Sequence, residues 1–150
     1  MTALVGQSVK RKEDFRFITG QGRYTDDFVK PGQTYAAFVR SPHPHATIDK
    51  VDTSGALAVP GVVAVLTGAD LEADGIKGLI CGWMIHSKDG SPMKAGLHPA
   101  LASKKVRHVG DQLAVVIADT PGAAALGAEK VVVDYGVLPA VLRPQDAQSA

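Results

Sequence analysis

One short pattern occurs twice in this chain, and that repeat limits the fold more than any other feature. Thr47 to Asp52 alternates like a half-buried strand, with Ile48 and Val51 on opposite sides of the alternation. Asp52-Thr53-Ser54 then offers helix N-caps, Ala56 to Val59 a short helix, and Pro60-Gly61 a stop. Val62 to Thr67 follows as a continuous run of Val, Ala and Leu ending in Thr, read as a second strand. The grammar returns 67 residues later. Leu113 to Ala118 reads as a buried strand, Asp119-Thr120 as a cap with Pro121 at the first helical position, and Val131 to Tyr135 as a strand. Helices are expected near 54–59 and 121–130. Helices this short are marginal alone, so each needs a sheet to cover its alanine-rich face. The expectation is an α+β fold, a small mixed sheet built from two β-α-β units in one sheet system.

The remainder of the chain organises around those units. Thr34 to Arg40 carries apolar residues on both alternating faces, which predicts a strand buried on both sides. Residues 1–33 show no sustained apolar period and are punctuated by Gly20, Gly22 and Pro31-Gly32. They read as an extended N-terminal arm with short local structure. The core domain is expected over 34–142, interrupted by a long loop at 71–105 that is rich in glycine and lacks either period. Residues 143–150 read as a frayed end.

Composition removes several function classes. Sixteen basic residues stand against 15 acidic ones, so no whole-chain field draws nucleic acid or an acidic membrane. The local basic run at Lys10, Arg11, Lys12 and Arg16 is broken by Glu13 and Asp14 and reads as a solvated or partner-facing arm. A single cysteine, Cys81, excludes an internal disulfide framework and a multi-cysteine zinc or iron–sulfur site. No apolar run approaches the roughly 20 residues of a membrane span, and the start lacks the basic-then-apolar order of a secretory leader. A soluble, cytoplasmic protein is expected.

The candidate chemistry is sparse. Gly20-Gln-Gly-Arg-Tyr begins like a phosphate-cradling loop but lacks a preceding strand, a following helix and a third glycine. His43-Pro44-His45 has the spacing of a metal pair, with His86, His98 and His108 widely spread as possible third ligands. Cys81 could act as a nucleophile if His86 converged on it; a small apolar loop cysteine is the plainer reading. The three glutamates, Glu13, Glu72 and Glu129, have no apolar setting or paired carboxylate to tune them as bases. No catalytic, cofactor-binding or metal-binding residue is assigned. Large groups without a local element to bury them remain: Arg11, Phe15, Arg16, Phe17, Arg23 and Tyr24 in the arm, and Trp83 and Met84 in the loop. Arginines and aromatics of this kind anchor interfaces, so these eight are the candidate partner surface.

Several phrases, taken in order, resemble the start of the molybdenum hydroxylase large subunit. They are Val5-Gly-Gln-Ser-Val-Lys-Arg-Lys-Glu-Asp, Arg16-Phe-Ile-Thr-Gly-Gln-Gly-Arg-Tyr-Thr-Asp-Asp, and Phe38-Val-Arg-Ser-Pro-His-Pro-His-Ala-Thr-Ile. Asp52-Thr-Ser, Pro60-Gly-Val-Val-Ala-Val-Leu-Thr-Gly-Ala-Asp-Leu, Val106-Arg-His-Val-Gly-Asp-Gln-Leu-Ala-Val-Val and Val133-Asp-Tyr-Gly-Val-Leu-Pro-Ala-Val follow. The family is that of xanthine dehydrogenase, aldehyde oxidase and aerobic CO dehydrogenase, and the region resembles its N-terminal α/β hammerhead domain. The resemblance implies a non-catalytic part of an oxidoreductase acting on aldehydes, N-heterocycles or CO at a molybdopterin-bound molybdenum. Molybdopterin contacts and the catalytic glutamate would lie in the C-terminal portion of the large subunit, this chain's implied partner. FAD and 2Fe-2S clusters would sit on further subunits. Gly136 departs from the acidic residue usual in the family and is expected to loosen the end of the last strand. Two other readings stand beside this one: a stand-alone binding or assembly module with the hammerhead fold, and a small metal-binding protein using His43 and His45.

Overall fold

A computed structural model describes residues 5–148. The chain divides into two compact units, residues 1–33 and 34–150. In the first, helix α1 (Asp14–Ile18) precedes a 3-10 turn at Thr25–Asp27. Asp14 opens α1, accepting from the Arg11 guanidinium at 2.7 Å and from the Arg11 backbone N–H at 3.3 Å. Arg16 O accepts from Gln21 N at 2.9 Å and closes the turn that follows the helix. Phe17 and Tyr24 then stack with ring centroids 5.4 Å apart. The expectation that the arm has no local element to pack its aromatics is corrected for this pair.

The second unit holds six strands: β1 (Tyr35–Arg40), β2 (Ala46–Asp52), β3 (Val62–Thr67), β4 (Lys105–Val106), β5 (Gln112–Ala118) and β6 (Val132–Val137). Helices α2 (Ser54–Leu57), α3 (Gly68–Ala73) and α4 (Pro121–Glu129) lie between them. Both anticipated strand–helix–strand units exist, and the α+β class stands. The strands, however, divide into two three-stranded antiparallel sheets, ordered β1-β5-β3 and β4-β2-β6, in place of one mixed sheet. The connection through α2 gives one reason. Residues 53–61 fall short of the dozen or so that a parallel crossover takes, so β2 and β3 cannot lie parallel in one sheet. Each unit instead steps between sheets: β2 to β3 from the second to the first, β5 to β6 from the first to the second.

The helices start where hydroxyl and carboxylate side chains can take up free N–H groups. Thr120 Oγ1 accepts from Ala123 N at 3.1 Å at the head of α4. At α2 the cap comes from Asp52, which accepts from the Ser54 N–H at 3.0 Å and the Ser54 hydroxyl at 2.6 Å. Helix α3 falls partly inside the segment expected to be loop. Thr67 and Asp70 form a reciprocal cap there, Thr67 N donating to Asp70 at 2.7 Å and Asp70 N to the Thr67 hydroxyl at 3.4 Å. Thr67-Gly-Ala-Asp70 is the sequence signal for this cap, although the six-residue helix it opens is too short to show a period.

Small residues set the spacing of helix on sheet. On α4, Ala124 and Gly127 are buried, and a Cβ at Gly127 would come within 2.8 Å of Val116 Cγ1 and 3.0 Å of Val62 Cγ2. A second apolar cluster joins Ala46, Ala102, Val106 and Leu113, with Val39, Ile48, Val133 and Tyr135 packed against it. Strand β1 is not buried on both sides: Ala36, Phe38 and Arg40 are exposed, while α4 packs against β1, β5 and β3. Gly136 does not loosen β6 either. Pairing with β2 continues through Thr47–Gly136 to Ala46–Val137, and a Cβ there would run into the Thr47 hydroxyl.

Candidate functional site

The arm residues divide into a packed set and an exposed set. Phe17 stacks on Tyr24, the Arg16 guanidinium lies 5.2 Å from the Phe17 ring centre, and a side chain at Gly22 would strike that ring. Arg11 is committed to Asp14. Phe15 and Arg23 project outward; Phe15 is 71% exposed, and even the stacked Tyr24 keeps 64% of its surface open.

Trp83 and Met84 belong to an irregular hairpin that was expected only as loop. Leu79 pairs with His98, the Leu79 N–H donating to His98 O at 2.7 Å, and His86 pairs with Pro92. Met93 N donates to Ile85 O at 2.8 Å, and Ser87 N to Ser91 O at 2.8 Å, closing the tip over Asp89-Gly90. Asp89 braces the tip by accepting from the Ser91 hydroxyl and N–H, which holds its carboxyl below the usual range. Along this hairpin Trp83 is 80% exposed and Ile80 93%. Leu79, Ile85 and Leu97 are exposed as well, and with Ile80 they make four apolar residues that sequence reasoning missed. Their signal was available in Leu79-Ile80, an apolar pair set between Gly78 and Cys81-Gly82.

The polar candidates go elsewhere. His43 meets Tyr135 edge-on at 4.8 Å, while His45 Nδ1 lies 2.6 Å from Pro139 O, so the two imidazoles serve separate packing contacts. Burial pushes the Tyr135 phenol up, against an opposing contact with the Ser41 hydroxyl. His98 and His108, far apart in sequence, stack at 6.4 Å beside a cavity of about 230 Å³ that Arg40 and Asp111 also line. Among the described residues no three His, Cys, Asp or Glu side chains converge as a metal-binding group, and no buried side-chain nitrogen or oxygen lacks a partner. Cys81 is exposed, its thiol donating to Trp83 O at 3.4 Å. One cysteine cannot supply the four thiolates of an iron–sulfur cluster. No helix among the described residues is long and apolar enough to cross a membrane.

The sequence and fold of this chain have counterparts in known proteins. Residues 19–139 match the aldehyde oxidase and xanthine dehydrogenase a/b hammerhead domain. The chain belongs to that family. It is 43% identical over 144 residues to the carbon monoxide dehydrogenase large chain of Afipia carboxidovorans, covering 94% of this chain and 16% of that one. It is 32% identical to the xanthine dehydrogenase molybdenum-binding subunit of Escherichia coli O157:H7, covering 87% and 17%. Among solved structures, quinoline 2-oxidoreductase from Pseudomonas putida 86 superposes with a TM-score of 0.81 at 37% identity, over 95% of this chain and 17% of that one. The hammerhead chain thus spans about one sixth of the length of the molybdenum hydroxylase large subunits it matches.

Proposed function

We propose that this chain is the non-catalytic hammerhead portion of a molybdenum hydroxylase large subunit, and that it braces the molybdopterin-binding portion of that subunit. One observation carries the reading: large apolar groups stay exposed on a hairpin with its own backbone pairing, Trp83 at 80% and Ile80 at 93%. Open apolar patches of this kind mark interaction sites in soluble proteins. The relatives support a partner of this kind, because in each of them the matched region makes up only 16–17% of the chain. Phe15, Arg23 and Tyr24 add the residue types that anchor interfaces. Molybdopterin, and the FAD and 2Fe-2S groups of the assembled enzyme, would be held by that partner portion and by further subunits. The substrate, whether CO, an aldehyde or an N-heterocycle, would be set there too.

Limited proteolysis of the chain alone is expected to cut the arm and the 79–98 hairpin first and to leave 34–73 with 101–142 resistant. Ordering such segments costs about 1–2 kcal/mol per residue, which exposed side chains do not offset. Adding the separately expressed C-terminal portion of a matching large subunit is expected to protect both segments. Equal resistance with and without that portion would turn the reading toward a stand-alone module.

A further inference from the structure

A second surface, using neither the arm nor the hairpin, lies at one end of the β4-β2-β6 sheet. Ala46 there opposes Val106 on one side and Val137 on the other, so the start of β2 and the ends of β4 and β6 meet. Beyond them opens a groove of about 890 Å³, within the size of sites that hold drug-sized ligands. One wall carries Lys105, Arg107 and His108; the other carries Pro139, Val141 and Leu142. His45 fixes the second wall twice, its carbonyl accepting from Leu138 N at 3.0 Å and its ring lying 2.6 Å from Pro139 O.

The two walls ask for different chemistry. No Asp or Glu lines the groove, and among the described residues neither the Lys105 nor the Arg107 side chain forms an ion pair. The Arg107 guanidinium donates only to Lys105 O, at 3.4 Å. Asp111, close in sequence, lines the separate cavity beside His98: it accepts from the Arg107 backbone N–H at 3.0 Å and lies 3.9 Å from His108 Nδ1. Opposite the cations, Leu142 is 78% exposed and Val141 is half-exposed. A small anion would answer the cations and leave the apolar wall wet. A wholly apolar segment would cover that wall and leave two cations without counter-charge. An extended peptide answers both, because its side chains point alternately to opposite sides.

We infer that this groove binds an extended peptide segment alternating acidic and apolar residues, with carboxylates toward Lys105 and Arg107 and apolar groups toward Pro139, Val141 and Leu142. The inference does not depend on the bracing reading. Its test is fluorescence polarisation of the full 150-residue chain with a labelled Glu-Val-Glu-Leu-Glu-Val peptide. Saturable binding is expected, weakening with added salt. A Glu-Ser-Glu-Ser-Glu-Ser peptide and a Lys-Val-Lys-Leu-Lys-Val peptide are expected to bind more weakly. Joint replacement Lys105→Glu and Arg107→Glu should weaken the first peptide roughly five- to tenfold, the size that two exposed charge pairs supply. The same variant should gain affinity for the Lys-Val-Lys-Leu-Lys-Val peptide, a gain that misfolding could not produce. Val141→Ser with Leu142→Ser should remove the preference for the apolar over the serine peptide. Absence of saturable binding, equal binding of the serine peptide to the unaltered chain, or full displacement by inorganic phosphate would overturn the inference.

Discussion

At Asp52 the carboxylate accepts from the Ser54 hydroxyl and backbone N–H, with the Lys50 ammonium at 3.3 Å. The Ser54 hydroxyl contributes most, and together these contacts hold the Asp52 carboxyl at about 2, below its ordinary 3.8. Folding therefore favours the ionised form. Its contribution to stability is complete above 3.8 and is lost as pH falls through about 2. NMR titration of the Asp52 side-chain carboxyl should find that midpoint, and Asp52→Asn should remove this part of the acid limb. A midpoint at the ordinary value would mean that the Ser54 cap does not form in solution. Gly136 is the opposite kind of residue, legible as a departure from its family yet misread in effect. Its partner Thr47 donates to Asp49 at 2.9 Å and to Gly136 O at 3.3 Å, filling the space a side chain would need. Gly136→Asp would place a second carboxylate beside Asp49 and overpack the Thr47 contact, for a loss of about 1–3 kcal/mol by urea denaturation. Pair contacts of this sort are invisible to a reading that takes one strand at a time. Cys81 is exposed in the hairpin, so Cys81→Ala should change stability by less than about 0.5 kcal/mol.

Among the elements, α4 was the most legible, because a capping threonine, a proline at its first position and alanine spacing all agree. Thr120→Ala removes the acceptor for Ala123 N and should cost about 1 kcal/mol, seen as a fall of roughly 2–4 °C in Tm. Gly127→Leu should cost about 1–3 kcal/mol, since its Cβ alone would already crowd Val116 and Val62. An unchanged Tm for the leucine variant would mean that α4 stands farther from the sheet than described. Helix α3 and strand β4 escaped the sequence reading for a physical reason: six and two residues are too few to show a period. The division into two sheets was hidden for another. Alternation says that a strand is half-buried, but it does not say which strand lies beside it; that choice is made by the length of the connection through 53–61.

For the whole molecule, the sequence made the core units and the existence of unburied aromatics readable, but not their grouping. Phe17 and Tyr24 satisfy one another within the arm, whereas Trp83 stands in a hairpin beside Ile80 and Ile85, all open to solvent. The bracing account therefore rests most heavily on Trp83, which is also the chain's one tryptophan. That makes it a site-specific reporter. Labelling the chain with 5-fluorotryptophan gives a single 19F resonance, whose shift between H2O and D2O measures solvent access at that ring. The account predicts a large solvent-isotope shift in the isolated chain. On addition of the unlabelled C-terminal portion of a matching large subunit, the resonance should move and the isotope shift should collapse. A resonance that keeps its position and its full isotope shift, while the two portions still co-purify, would contradict docking through the hairpin.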